Sequence, residues 1–438
     1  MPLSVIRGVQ NAENVLVRID PLDLDSLPES VLARTEEAFG KGVTPLQSVH
    51  QMLDDVRRDG DSAVLRYAKL LDGSDLEDFR VTDAQMAQAR DSVSKELRES
   101  LELAAQRVRS FHEATMPSDW IDRKQGLGEL IRPLDRVGLY APGGSAAYPS
   151  TVLMTAVPAR VAGVREVILC TPPQRGEALN PAVIVAAEIA GVDTLYQVGG
   201  VPAIAAMAYG TASVPKVDKI CGPGNIFVSY AKKLVQGSVD IDGVFGPTET
   251  IVLADKTANA IFCAADLIAQ AEHDPESVPI LIAMDPALIT AVEAELSTQL
   301  GDLPTADTAR TAISKGGVIA CPNVVEAARV SDAIAPEHLQ LSMADARDLV
   351  PHLNHYGALF IGEKSAEVFG DYGVGPNHVL PTSGTARARG GLSVMDFLRV
   401  RTWIRLDQPG PSRELVEDSA WLARQEGLEA HARAAELR

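Results

Sequence analysis

From about Leu127 to Ile361, short β-branched runs alternate with alanine-rich helical runs, and no other feature constrains the fold as tightly. Residues 137–140, 167–170, 193–198 and 217–220 read as strands, with helices over 151–162, 181–190 and 201–209 between them. The pattern resumes after Glu249. Strands at 251–254, 278–282, 317–320 and 358–361 alternate with helices at 259–271, 286–299 and 324–333. A helix between consecutive strands is the crossover that parallel pairing requires, so both stretches predict parallel sheets with helices on both faces. The expected class is α/β, with two Rossmann-like, incompletely doubly wound parallel-sheet domains, one inserted in the other.

The expected divisions are an N-terminal arm (1–30), a first α/β domain (31–136 with 249–390), an inserted α/β domain (137–248) and a C-terminal helical tail (391–438). Residues 44–115 read as helical. Within them 84–111 read as one long amphipathic helix, and 412 to the end as a terminal helix.

Composition excludes several functions. A formal charge of −19 opposes binding to nucleic acid or an anionic membrane. No uncharged apolar run approaches the roughly 20 residues of a membrane-spanning helix, and residues 1–7 hold no apolar signal core. Cys170, Cys221, Cys263 and Cys321 form no Cys-x-x-Cys pair, which argues against a cysteine zinc site or disulfide scaffold and suits the cytoplasm.

The chain has only eight histidines, yet four lie in dense polar settings. Glu272-His273 and Glu337-His338 each put a carboxylate beside a group that titrates near neutrality. His378 follows Gly375-Pro-Asn377, and His431 follows Glu426-Gly-Leu-Glu429-Ala. One such histidine is ordinarily a solvated or core residue; four in a histidine-poor chain point to a shared site. Gln270 and His273 are expected to share a face of the predicted 259–271 helix. With Asp371 and His431 they make a donor set of two imidazoles, a carboxylate and an amide, which suits zinc or a similar divalent ion. A buried polar network accounts for the same residues nearly as well, and spacing does not decide.

Three glycine turns follow predicted strands: Pro142-Gly143-Gly144-Ser145, Gly199-Gly200-Val201 and Gly222-Pro223-Gly224-Asn225. None is a dinucleotide fingerprint or phosphate loop. At the carboxyl edge of one parallel sheet they would form a nucleotide or phosphate cleft. A fourth turn, Gly246-Pro-Thr248-Glu249, opens the second half.

Together these segments resemble the histidinol dehydrogenase family through nearly the whole chain. The likeness rests on Val137-Gly-Leu-Tyr140-Ala-Pro-Gly-Gly144, Val214-Pro-Lys-Val-Asp-Lys-Ile220, Gly222–Asn225, Ile241-Asp242 and Gly246–Glu249. It continues in Gln270–His273, Pro336-Glu-His-Leu339 and Gly375–Thr382. The resemblance implies a homodimeric zinc enzyme that oxidises L-histidinol to L-histidine with two NAD+. It implies zinc on Gln270, His273, Asp371 and His431, and acid/base roles for Glu337 and His338. Substrate contacts would include Thr248, His378 and Glu426, and NAD+ contacts Tyr140 and Asn225. Glu426 and His431 would act across the dimer.

This chain departs from the family pattern at three positions. Pro202 stands where a glutamine contacts NAD+, Thr248 replaces a frequent serine, and Phe245 replaces a small residue and is expected to crowd the crevice. A paralogue oxidising another alcohol, such as a sulfonated diol, and a non-catalytic metal-binding dimer are the alternative readings.

Overall fold

The computed structural model describes residues 5–7, 27, 29–143, 147–174, 178–407 and 410–438. Its strands are β1 (Val5–Arg7), β2 (Trp120–Asp122), β3 (Leu127–Pro133), β4 (Arg136–Tyr140), β5 (Glu166–Cys170), β6 (Thr194–Tyr196) and β7 (Lys219–Cys221). They continue with β8 (Asp240–Ile241), β9 (Glu249–Ala254), β10 (Val278–Ala283), β11 (Gly317–Ala320), β12 (His338–Ser342), β13 (Ala358–Ile361) and β14 (Leu398–Ile404). The chain divides into a larger unit, Met1–Thr115 with Leu134–Phe397, and a smaller one, Met116–Pro133 with Leu398–Arg438. Among the described residues, no helix is long and apolar enough to cross a membrane.

The larger unit holds two parallel sheets, ordered β6-β5-β4-β7-β8 and β1-β11-β10-β9-β12-β13. Ranked by chain position, β4–β8 lie in the order 3-2-1-4-5. So do β9–β13, to which β1 adds an edge strand. This is the Rossmann-like arrangement expected, and it creates a topological switch point in each sheet, between β4 and β7 and between β9 and β12. Both faces of the second sheet are covered. Ile251, Leu253, Leu339 and Leu341 pack toward the helix Val324–Ile334, while Val252 and Ala254 pack toward the helix Ala260–Ala271. Burial on both faces explains why these strands read as unbroken apolar runs.

Helices Pro149–Ala162 and Pro181–Ala190 begin with proline in the first turn and stop at left-handed Gly163 and Gly191, which gave them sharp boundaries in the sequence. Val49, Met52, Leu53, Val64, Tyr67 and Phe79 share a core with Tyr140, Ile168, Cys170 and Tyr196. These helical residues cover the five-stranded sheet; periodicity marks a helix's apolar face but not which sheet it meets.

The expected 84–111 helix is two helices, Asp83–Ser92 and Lys95–Ala114. Val93 is extended between them, and Ser94 Oγ accepts the Leu97 N–H at 3.2 Å. The expected terminal helix breaks into Arg413–Gln425 and Glu429–Glu436, with Gly427 at φ 77°. The sequence reading assigned no strand at β12. It also missed the antiparallel sheet β14-β3-β2, which joins the two terminal helices in the smaller unit. All four cysteines are buried and unpaired. Most of the expected arm, and Gly144-Ser145 of the first glycine turn, lie outside the described residues.

Candidate active site

Thr248, Gln270, Glu337 and His338, among the polar residues that the sequence singled out, meet at the amino ends of β9 and β12, neighbours across the second switch point with His338 in register with Thr250. The backbone enters β9 through Thr248 and Glu249 and enters β12 through Glu337. Thr248 Oγ1 lies 2.6 Å from Glu337 Oε2 and 3.2 Å from Gln270 Oε1. The Glu249 N–H donates to the same Glu337 oxygen at 3.1 Å. Both donors converge on Oε2, which leaves Oε1 for the site.

His338 is buried, its ring stacked on Phe360 with centroids 6.1 Å apart. Its Nδ1 lies 3.2 Å from the Glu249 carbonyl. A carbonyl only accepts, so Nδ1 carries the proton and Nε2 is left with a free lone pair, the tautomer of a general base. His378 is held the same way. Its Nδ1 donates to the Asp371 carbonyl at 3.0 Å, and its Nε2 lies 3.3 Å from Thr151 Oγ1 on the helix Pro149–Ala162. That contact and the bond from Asn377 Nδ2 to the Met154 carbonyl at 2.5 Å bring the first sheet's leading helix to the second sheet's site.

Burial sets the charge states. It pushes Glu337 from 4.5 up to about 8, outweighing the Thr248 hydroxyl and the Glu249 N–H, with the negative charges of Glu249 and Asp371 adding to the rise. It pushes His338 from 6.5 down to about 4 against the pull of Asp371, and His273 and His378 press in the same direction as burial. His378 is likewise lowered, chiefly by burial. Glu337 Oε2 and His338 Nδ1 are 3.6 Å apart, too far for a hydrogen bond, and burial favours the neutral form of each.

Gln270 is buried in the last turn of the helix Ala260–Ala271. That helix ends at Ala271, and His273 lies in an exposed turn just beyond it, closed by its own N–H on the Gln270 carbonyl at 3.4 Å. Asp371 ends the short helix Val368–Asp371, and its charge reaches Glu337, His338 and His378. Among the described residues, no group of three or more His, Cys, Asp or Glu side chains is gathered as a metal cage. The larger unit contributes an amide oxygen, an imidazole and a carboxylate from the expected set, donor types that suit zinc. Glu426 and His431 are exposed in the smaller unit, at the end of one terminal helix and within the next.

The expected cofactor residues sit at the other switch point, at the carboxyl ends of β4 and β7. Tyr140 is buried, and its hydroxyl accepts the Gly200 N–H at 3.0 Å. Asn225 is exposed and caps the helix Ile226–Val235, accepting the N–H groups of Phe227 and Val228 at 3.1 Å each. Gly222 has φ 121°, and a Cβ there would stand 2.0 Å from the Tyr140 carbonyl oxygen, so only glycine fits this turn. Pro202 is buried in the first turn of the helix Gly200–Tyr209. Phe245, expected to crowd the crevice, is buried with its ring beneath the Lys232 ammonium.

The family model of histidinol dehydrogenase matches residues 39–438. The chain belongs to the histidinol dehydrogenase family. A histidinol dehydrogenase of Thermus thermophilus is 48% identical over 392 residues, 89% of this chain and 93% of that protein. One from Dehalococcoides mccartyi is 44% identical over 99% of both chains. The crystal structure of histidinol dehydrogenase from Elizabethkingia anophelis superposes with TM-score 0.90 at 32% identity, covering 99% of this chain and 97% of that one. An acetylating aldehyde dehydrogenase from Geobacillus thermoglucosidasius shares the fold alone, at TM-score 0.50 and 15% identity.

In this histidinol dehydrogenase family member the structure adds residues that sequence reasoning passed over. Thr151 meets His378, Phe360 stacks on His338, and Glu367, buried behind Gln270, receives the Thr250 hydroxyl. None has a sequence signal of its own, because a threonine inside an apolar helix and a phenylalanine inside a strand both read as packing.

Proposed function

We propose that the chain oxidises L-histidinol through L-histidinal to L-histidine, reducing two NAD+. The observation that carries this reading is the Thr248–Glu337–His338 cluster at the mouth of β9 and β12, in a chain of this family. Zinc held by Gln270, His273 and Asp371, with His431 reaching it from a second copy of the chain, would supply Lewis acidity and fix the amino alcohol in place. NAD+ at the β4/β7 switch point supplies the hydride acceptor.

The chain's own groups handle protons and position. His338 Nε2, free because Nδ1 is tied to Glu249, takes the proton of the substrate hydroxyl as the C–H bond breaks. His378 and Glu426 orient the substrate. Glu337, raised to about 8, is close to the working pH at which a carboxylate both ionises and keeps basicity. As the carboxylate it deprotonates the water that adds to the aldehyde carbon, and Thr248 and the Glu249 N–H hold it in place through Oε2.

The test is NADH formation by the purified protein with L-histidinol and NAD+, before and after chelation. Two NADH per histidinol, lost on chelation and restored by zinc, are expected. Turnover of a sulfonated diol but not of L-histidinol would overturn the reading in favour of a different substrate.

A further inference from the structure

Lys232 on the helix Ile226–Val235 and Asp242 just after β8 are an ion pair with almost no access to solvent, at 0% and 7% exposure. The sequence reading noted Asp242 only within a motif and gave Lys232 no part. Their contacts converge on one residue. Asp242 Oδ2 accepts the Gly222 N–H at 2.6 Å, and Lys232 Nζ donates to the Gly222 carbonyl at 2.9 Å. Both backbone polar groups of Gly222 are thus held by opposite members of one buried pair. The Lys232 ammonium also lies 4.6 Å from the centre of the Phe245 ring.

A buried ion pair is a poor way to stabilise a fold. Desolvation costs several kcal/mol per ion, and apolar replacements of similar volume are often neutral or better. What this pair does supply is geometry. Gly222 is the first residue of the turn Gly222–Asn225 at the switch point, pressed against the Tyr140 carbonyl. Beyond Asp242, the Phe245 carbonyl accepts Ser229 Oγ at 2.8 Å and the Gly246 N–H reaches Thr382 Oγ1 at 2.6 Å. That run ends two residues later at Thr248, so the pair anchors the switch-point turn and the segment leading into the substrate site from one point.

We propose that Lys232 and Asp242 are positioning residues for the dinucleotide, fixing the backbone N–H and carbonyl of Gly222 so that the turn keeps the shape that admits NAD+. This rests on NAD+ binding at the β4/β7 switch point, as proposed above.

The experiment measures KM for NAD+ and for L-histidinol in the full-length, zinc-loaded enzyme, well below each variant's melting temperature. Lys232→Met is expected to raise KM for NAD+ at least tenfold and leave that for L-histidinol within twofold. The double variant Lys232→Met with Asp242→Leu removes both charges. It is expected to melt near the wild-type temperature yet keep the raised KM for NAD+, which a merely structural role would not produce. Where the single variant fails to fold, the double variant decides. Asn225→Asp keeps the helix cap but sets a carboxylate beside the dinucleotide phosphates, so it reports on the cofactor site itself. An unchanged KM for NAD+ in the lysine variants with a raised one in Asn225→Asp overturns the role of the pair and leaves the cofactor site standing. An unchanged value in all of them overturns both.

Discussion

Glu337→Gln tests the charge state on which the proposed water activation depends. Glutamine keeps an oxygen for the Thr248 hydroxyl and the Glu249 N–H, so only the titrating proton is removed. In the folded chain Glu337 holds its proton up to about pH 8, whereas an unfolded glutamate releases it near 4.5. Between those values the folded state binds a proton that the unfolded state has lost, so stability falls as pH rises, by about 1.4 kcal/mol per pH unit. His338 runs the other way: its folded value near 4 lies below the ordinary 6.5, so its contribution rises with pH up to 6.5 and is flat above. From pH 6.5 to 8 His338 is therefore silent, and the difference between wild type and Glu337→Gln isolates Glu337 from other raised carboxyls such as Glu367. Allowing for the taper near 8, metal-free wild type is expected to lose about 1.5 kcal/mol more stability across it than Glu337→Gln. Urea unfolding of metal-free protein at fixed concentration, at both pH values, measures the difference. Parallel pH dependences in the two proteins would refute the claim that burial holds this carboxyl protonated at neutrality.

His338→Asn places an amide N–H where Nδ1 donates to Glu249 but supplies no counterpart of Nε2. NADH formation should fall by a factor of about 10² to 10⁴ with KM for L-histidinol changed only a few-fold; a loss confined to KM would contradict the base role. Mixed dimers joining a His431→Ala subunit to a His338→Ala subunit should recover one working site if the terminal helix serves a second copy, and absence of recovery counts against a shared site. Ile204→Ala, in the fully buried core between the helical segment and the five-stranded sheet, should cost about 2–5 kcal/mol. It should lower the melting temperature without moving either KM below it.

The parallel sheets were legible because their strands are apolar on both faces and the crossover helices Pro149–Ala162 and Pro181–Ala190 carry proline at the start and glycine at the end. β12 escaped for the opposite reason. Its inward face carries His338, Gln340 and Ser342, all buried, so the strand shows no apolar run and drew notice only as a motif. The proposed acid/base pair was legible as chemistry and illegible as geometry. Glu337-His338 marked a site, but nothing in the sequence says that Glu249, 88 residues before Glu337 and its neighbour in the sheet register, offers its carbonyl to His338 and its N–H to Glu337. The placement of the helical segment was not legible either, since an apolar stripe such as Val49, Leu53 and Val56 is equally suited to either sheet.

Two sheets with the same strand order use opposite edges. The five-stranded sheet presents Tyr140 and the Gly222–Asn225 turn at the carboxyl ends of its switch-point strands, the edge where open α/β sheets ordinarily bind ligands. The six-stranded sheet presents Thr248, Glu249, Glu337 and His338 at the amino ends of its corresponding strands. Carboxyl-end sites draw on glycine turns and helix N-termini, which favour phosphate-bearing ligands. An amino-end site has no such amide array. It must instead recruit side chains from strand entrances, and a strand entrance fixes backbone groups rigidly because the ladder begins there. Here that rigidity is used directly: the N–H and the carbonyl of Glu249, where β9 begins, donate to the base of one proposed step and accept from the base of the other. A single residue thereby sets the tautomer of His338 and the orientation of Glu337, which ties the two proposed oxidations to one fixed point of the fold.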